Sequence, residues 1–348
     1  MGASLAASRF SQQLNKKSYQ ERVDIWDLYC MTFYFRNCDG QNVKMKPPDP
    51  PPFDKQYRQV HKCVAEQVMK HCGTLYSDIV MITIIIINHV INVEDLCRNL
   101  HNRLSGTNDK QNHVESPFNL NVKKSSIDHQ DSGQGVFVTG SAVPGTVITF
   151  HPGLVVRIYV LKPNKNIGER SIDIGVICKH GGSLTPTQVY RDFNSPYLPQ
   201  HIRKMPDYPG MDQKSTYLIS RYDGCIIDPS GFNSELKGPD GNVMPHPFAV
   251  GHMMNHPPSG KKPNVMPFSY DFHAFPKELS YLIPNRYYKE PGLLFKTQAI
   301  MRSLVYVTVN HVCNEELFVN YRLNPNSKLP EWYTPVDKQE DSRRWSST

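Results

Sequence analysis

Three short stretches, far apart in a chain of 348 residues, carry groups suited to chemistry. Gly133-Gln134-Gly135 opens into the apolar Val136-Phe137-Val138-Thr139, and glycines there let the backbone turn with φ > 0 or come close to a ligand. Asn255-His256, with Pro263-Asn264 shortly after, supplies donors and acceptors for fixing a polar group. Glu315-Glu316-Leu317-Phe318-Val319-Asn320-Tyr321 ends on a phenol able to orient and electrostatically support a reacting centre. Taken singly each is ordinary, since a GxG is most often a turn, an Asn-His pair is common in loops, and a strand-end tyrosine usually packs. A fourth cluster, His61, Cys63, His71 and Cys72, has ligand chemistry but helical surroundings. On a helix His61 and Cys72 stand about 16 Å apart and Cys63 and Cys72 face opposite ways, so one metal ion cannot be held. No metal site is expected.

The elements that must position these residues change character along the chain. Pro47 to Pro52 reads as a stiff extended linker. Residues 54 to 72 read as a helix with Asp54 as N-cap, an apolar stripe of Tyr57, Val60, Val64 and Val68, and Gly73 as its stop. The run Ile79 to Ile87 suits a buried strand or a buried helix and is too short for a membrane span of about 20 residues. A second helix is expected from Asn92 through Leu104, followed by a polar boundary loop from Gly106 to about Asp131. Beyond it, short apolar runs separated by Gly, Pro, Asn and Asp read as strands: Val136–Thr139, Val147–Phe150, Leu154–Leu161, Ile172–Cys178, Tyr217–Ser220, Cys225–Ile227 and Leu304–Val309. The expected organisation is a mainly helical or irregular region over 1–124, a mainly β domain over 125–325 and a tail over 326–348, α+β overall.

In this order the motifs resemble the SET domain of protein lysine methyltransferases. The matching pieces are SGQGVFV (132–138), TVITFHPG (146–153), YLISRYDGCIIDP (217–229), AVGHMMNHPP (249–258), PNV (263–265) and NEELFVNYR (314–322). The resemblance covers about residues 128 to 325 and leaves the N-terminal third unmatched. It implies a β-clip fold in which the Glu-Glu-Leu-Tyr strand threads under the Asn-His loop in a knot-like crossing. It also implies S-adenosyl-L-methionine as cofactor and a lysine of a protein substrate as methyl acceptor. By the same likeness Gly133, Gln134 and Gly135 bring backbone to the methionyl part of the cofactor. Asn255 and His256 fix its amino end and adenine, and Tyr321 is the catalytic hydroxyl, also in contact with the cofactor. Glu316 is expected to support the fold rather than the chemistry.

Departures from the family pattern qualify what the resemblance implies. The usual Arg ahead of Asn-His is His252, the usual Ser-Cys after it is Pro257-Pro258, and extra residues with Lys261-Lys262 displace the Pro-Asn. Asn314 replaces a glycine, and Val319 replaces an aromatic residue that helps set the degree of methylation. No cysteine follows Tyr321, so no zinc-binding cap is expected, and Trp332 and Tyr333 are candidates to cover the site. Two alternatives therefore stand beside the lysine reading: an interaction module of the same fold without turnover, and a histidine acceptor.

Composition narrows the partners. Lys+Arg 39 against Asp+Glu 32 gives a net charge of +7, spread over the chain: residues 1–124 hold 16 basic and 12 acidic side chains and the rest 23 and 20. No basic stripe of the kind a phosphate backbone needs results, so a direct nucleic-acid partner is not expected, nor is a membrane. The 8 cysteines form no CxxC pair and read as reduced thiols of an intracellular protein of nucleus or cytoplasm. The acid-free first 20 residues, with Arg9, Lys16 and Lys17, leave a mitochondrial leader as the alternative. The substrate's identity and the oligomeric state are not written in the sequence.

Overall fold

Every third or fourth residue from Val60 to Leu75 is apolar and buried: Val60, Val64, Val68, Cys72 and Leu75 are at most 5% exposed. That 3.6-residue period builds the long helix of the computed structural model. The structure describes residues 19–38, 41–44, 49–89, 117–157, 217–223, 225–229, 235–237, 243–273, 275–287, 299–326 and 329–346. Its helices are α1 (Tyr19–Phe33), α2 (Phe53–His89) and α3 (Lys338–Ser346). Between α1 and α2 lie the paired strands β1 (Phe35–Cys38) and β2 (Gln41–Lys44).

Two expectations about α2 are corrected. Gly73 does not end the helix, which runs on through the isoleucine stretch to His89. A glycine costs about 1 kcal/mol in a helix interior, and the buried stripe that continues past it to Leu75 outweighs this. Asp54 is not the N-cap, because the helix already includes Phe53. The Pro52 carbonyl takes the amides of Lys55 and Gln56, and Asp54 pairs along the surface with Arg58.

After α2 come β3 (Phe118–Lys124), β4 (Gln134–Ala142), β5 (Val147–Phe150), β6 (Gly153–Arg157), β7 (Ile219–Ser220), β8 (Cys225–Asp228), β9 (Glu235–Lys237), β10 (Val243–Pro245), β11 (Val265–Phe272), β12 (Asn285–Tyr287), β13 (Met301–Thr308) and β14 (Val312–Cys313). Among the described residues they form three sheets of three or four strands, ordered β11-β13-β5, β12-β6-β8-β7 and β14-β4-β3, and a separate β9-β10 pair. All pairings are antiparallel except β12 with β6. The architecture is mixed α+β.

The expected boundary loop from Gly106 to Asp131 contains β3, a correction with a clear cause. Phe118 is buried on one face while Asn119 and Lys123 point out, and β3 pairs along its whole length with β4, from Phe118↔Gly140 to Lys124↔Gln134. The hairpin thus spans the 124/125 boundary expected from the sequence. One apolar cluster also crosses it, joining Ile25 and Leu28 of α1 and Val60 and Val64 of α2 to Phe150, Phe268 and Val305 of the sheets. Gln67 fixes α2 to the start of β5 by donating to the Gly145 carbonyl at 2.9 Å and accepting the Val147 amide at 2.8 Å. The expected strand Ile172–Cys178, the second half of Leu154–Leu161 and the helix from Asn92 lie outside the described residues.

Candidate functional site

The segment from Asn314 to Arg322 passes between elements that are distant in sequence. Val138 N–H donates to the Glu315 carbonyl and Leu317 N–H to the Val136 carbonyl, so the segment first runs beside β4. It then lies parallel to the Asn-His loop and to β11, with isolated bridges Asn255↔Phe318 and Val265↔Val319. The buried Asn264 acts as a substitute strand partner here: its Nδ2 donates to the Glu316 carbonyl at 2.8 Å and its Oδ1 accepts the Phe318 amide at 2.7 Å. Asn314 enters this segment with φ +49, a left-handed conformation that asparagine tolerates better than most residues. Its place where the resemblance has glycine is thereby explained.

The motif residues meet in a chain of contacts. Gly133 has φ +54, and the space a Cβ would occupy there is open. A Cβ on Gly135 would run into the Glu316 carboxylate, so at this position it is a protein group that requires glycine. Glu316 is 4% exposed and accepts from Ser125 Oγ at 2.7 Å, from the Ser126 amide and hydroxyl, and from Asn255 Nδ2 at 3.4 Å. The Asn255 Nδ2 also donates to the Gln134 carbonyl at 3.0 Å, joining the GxG strand to the Asn-His loop. Gln134 thus contributes its backbone, while its side chain faces out.

His256 carries the contact onward to Tyr321. Its Nε2 lies 2.8 Å from the Thr334 carbonyl and must donate to it, so the neutral ring accepts the Tyr321 amide at Nδ1, 3.3 Å away. Burial lowers its pKa. The ring packs at a tilt against Tyr333 at 4.4 Å, and Trp332 stands edge-on to Tyr321 at 6.2 Å. The two residues expected to cover the site therefore flank His256 and Tyr321.

Tyr321 faces a narrow cavity of about 80 Å³. Its phenol donates to the Met254 carbonyl at 2.9 Å, and removal from water pushes its pKa well above the usual phenol value. Across the cavity His151 Nε2 donates to the Tyr217 carbonyl at 3.0 Å, so its Nδ1 accepts the Tyr306 hydroxyl at 2.9 Å. Tyr306, too, is pushed up by burial. Desolvation drives His151 down to about 3 and His252 down to about 4, so both rings are neutral near pH 7. The buried His252 Nδ1 has no hydrogen-bond partner among the described residues. Two phenols whose protons are committed thus line the cavity, with the buried, unpaired His252 Nδ1 in its wall. Val319 lines the same space.

Several lining residues lie outside every matched stretch: Gln20, Tyr306, Arg344 and Trp345. His151 and Arg322 were within reach of the sequence, each being adjacent to or inside a matched stretch. Gln20 and Arg344 come from opposite ends of the chain, and no local spacing announces them. Among the described residues no group of three or more His, Cys, Asp and Glu is placed to hold a metal ion, and no helix is long and apolar enough to cross a membrane. No protein-family model matches the sequence, and no curated protein matches it.

Proposed function

We propose that the chain is an S-adenosylmethionine-dependent protein methyltransferase of the SET fold, acting on a lysine side chain of a protein substrate. The observation that carries this reading is Tyr321 itself: its amide is bound to His256 of the Asn-His loop, and its neutral phenol, proton committed to Met254, borders a narrow cavity. When bound, the cofactor supplies an electrophilic methyl group on a sulfonium. The open backbone at Gly133 and the Oδ1 of Asn255, which takes no hydrogen bond from the described residues, suit its ammonium and carboxylate end. The aromatic faces around His256 suit its base.

Toward the acceptor, the residues have three tasks. A free lysine with pKa near 10.4 is protonated at pH 7 and must lose its proton before it attacks. The cavity walls named above are neutral phenols, imidazoles and apolar groups, and Arg322 and Arg344 there are balanced by Asp24 behind them together with Glu340 on Arg344. Such walls disfavour an ammonium and favour the free amine. The phenol oxygens then accept its N–H bonds and align the lone pair.

One observation favours the second reading, an interaction module without turnover: Asn255 Nδ2 and both His256 ring nitrogens are already bonded within the protein. Titration calorimetry with S-adenosylmethionine separates the two. Binding heat, together with methyl transfer that is lost in Tyr321→Phe while binding persists, is the expected result. Absence of any heat would sink the enzyme reading.

A further inference from the structure

Helix α1 lies outside the stretch that resembles any family, yet it inserts a charge next to Tyr321. Asp24 has 0% exposure. Arg322, the residue after Tyr321, forks onto it, with Nη1 donating to Oδ2 and Nη2 to Oδ1, both at 3.3 Å. Tyr222 donates its hydroxyl to the same carboxylate. Arg344 Nη1 of α3 stands 2.9 Å from Oδ1 as an ion pair, off the angle of a hydrogen bond. Burial alone would raise the pKa of Asp24, but the two guanidiniums more than offset it and hold the group ionised.

Arg322 is also one of two described residues other than glycine with positive φ, at +49. For an arginine that conformation costs on the order of 1 kcal/mol and persists only where surroundings impose it. Three groups do so here: the Asp24 fork, Asn320 Oδ1 accepting the Arg322 amide at 3.0 Å, and Trp345 Nε1 donating to the Arg322 carbonyl at 3.1 Å. Because Tyr321 and Arg322 share a peptide plane, the conformation at Arg322 sets where the phenol points. Gln20, one turn before Asp24, donates to the Arg344 carbonyl at 3.2 Å and lines the cavity. We propose that Asp24 is a positioning residue for Tyr321, acting through Arg322, and that α1 is thereby part of the site.

The kinetic half of this inference rests on the methyltransferase reading; the structural half does not. The test uses the full chain with Asp24→Asn and Arg322→Met, singly and together, and Asp24→Glu as the charge-conserving rescue. Two quantities are read: amide hydrogen exchange over 319–323 relative to β13, and tritiated methyl transfer from S-adenosylmethionine to a pool of lysine-bearing peptides. Asp24→Asn is expected to speed exchange at 319–323 while β13 stays protected. It is expected to cut transfer about 100-fold, the scale of a misplaced reacting group, with cofactor affinity within about threefold. The double variant should be no worse than the worse single one, as for two groups acting as a unit, and Asp24→Glu should recover most of the loss.

If Asp24→Asn does not fold, Arg322→Lys, which keeps a cation but loses the fork, takes its place with an expected loss of about tenfold. Unchanged exchange and transfer in the single variants, or losses that simply add in the double one, would overturn the proposal. A wild-type chain that neither binds cofactor nor transfers methyl removes the methyltransferase reading instead, and the exchange measurement then decides the clamp by itself.

Discussion

The two sides of Tyr321 are built from different forces. On the loop side, Gln134, Asn255, Glu316 and His256 are tied by hydrogen bonds, all but the Asn255–Glu316 one ending on backbone groups or serine hydroxyls. On the cavity side, Asp24, Arg322, Arg344 and Tyr222 form a buried ionic cluster, and His151 and His252 are held neutral by desolvation. Hydrogen bonds to backbone are short-range and tolerant of pH and salt. A buried carboxylate facing two guanidiniums is screened little by salt, but it and imidazoles kept uncharged respond to pH. Both sides therefore carry an imidazole kept neutral by burial, but the buried ionic cluster belongs to the cavity side.

Acid is the strongest way to break that comparison. His151, His246 and His252 are pushed down to about 3, 4 and 4 by burial, whereas in the unfolded chain they titrate near 6.5. Between those values the unfolded state binds more protons, so stability is full above about pH 6.5 and falls as pH drops toward 4. Asp24, with its pKa lowered, adds a loss in the same direction at lower pH still. Asp341, raised to about 6 by burial, opposes this by losing stability as pH rises from about 4 to 6. Thermal unfolding across pH 4 to 8 should show a net decline on the acid side; a flat profile would contradict the neutral imidazoles.

Smaller effects test the loop side. Glu316→Ala leaves Ser125, Ser126 and Asn255 without their shared acceptor, and should cost about 3 kcal/mol in chemical denaturation. Gly135→Ala forces the same carboxylate aside and should cost about 2 kcal/mol, and it should be partly relieved in the Glu316→Ala background. Asn314→Ala places a less tolerant residue at φ +49 and should cost about 1 kcal/mol, with Asn314→Gly less harmful. Arg58→Ala, which removes the exposed pair with Asp54, should shift stability by about 0.3 kcal/mol and leave cofactor binding untouched.

Much of the loop side was legible in the sequence because its groups sit in contiguous motifs. Gly133 through Thr139, Asn255-His256 and Glu315 through Tyr321 each announce themselves locally, and the structure brings Gln134, Asn255, Glu316, His256 and Tyr321 into one chain of contacts. The strands Val147–Phe150 and Cys225–Ile227 were equally plain from their β-branched runs bounded by Gly, Pro and Asp. Where the reading failed, a local signal had been overruled by packing. Gly73 looked like a stop, but a buried stripe continues past it. Residues 118–124 looked like a polar loop, but β4 supplies a partner for every residue of that strand.

By itself the sequence determined strands such as Val147–Phe150 and Cys225–Ile227 and where the glycines, the Asn-His pair and the terminal tyrosine must fall, because these depend on residues within a turn or two of one another. Only the tertiary structure decided that Asp24 near one end of the chain would meet Arg322 and Arg344 near the other, and that Gln20, Arg344 and Trp345 would line one cavity with Tyr321. No spacing encodes that meeting. A carboxylate finds two guanidiniums some 300 residues away only because burial makes an unpaired charge far costlier than a paired one, and that preference acts once the fold has brought them within reach.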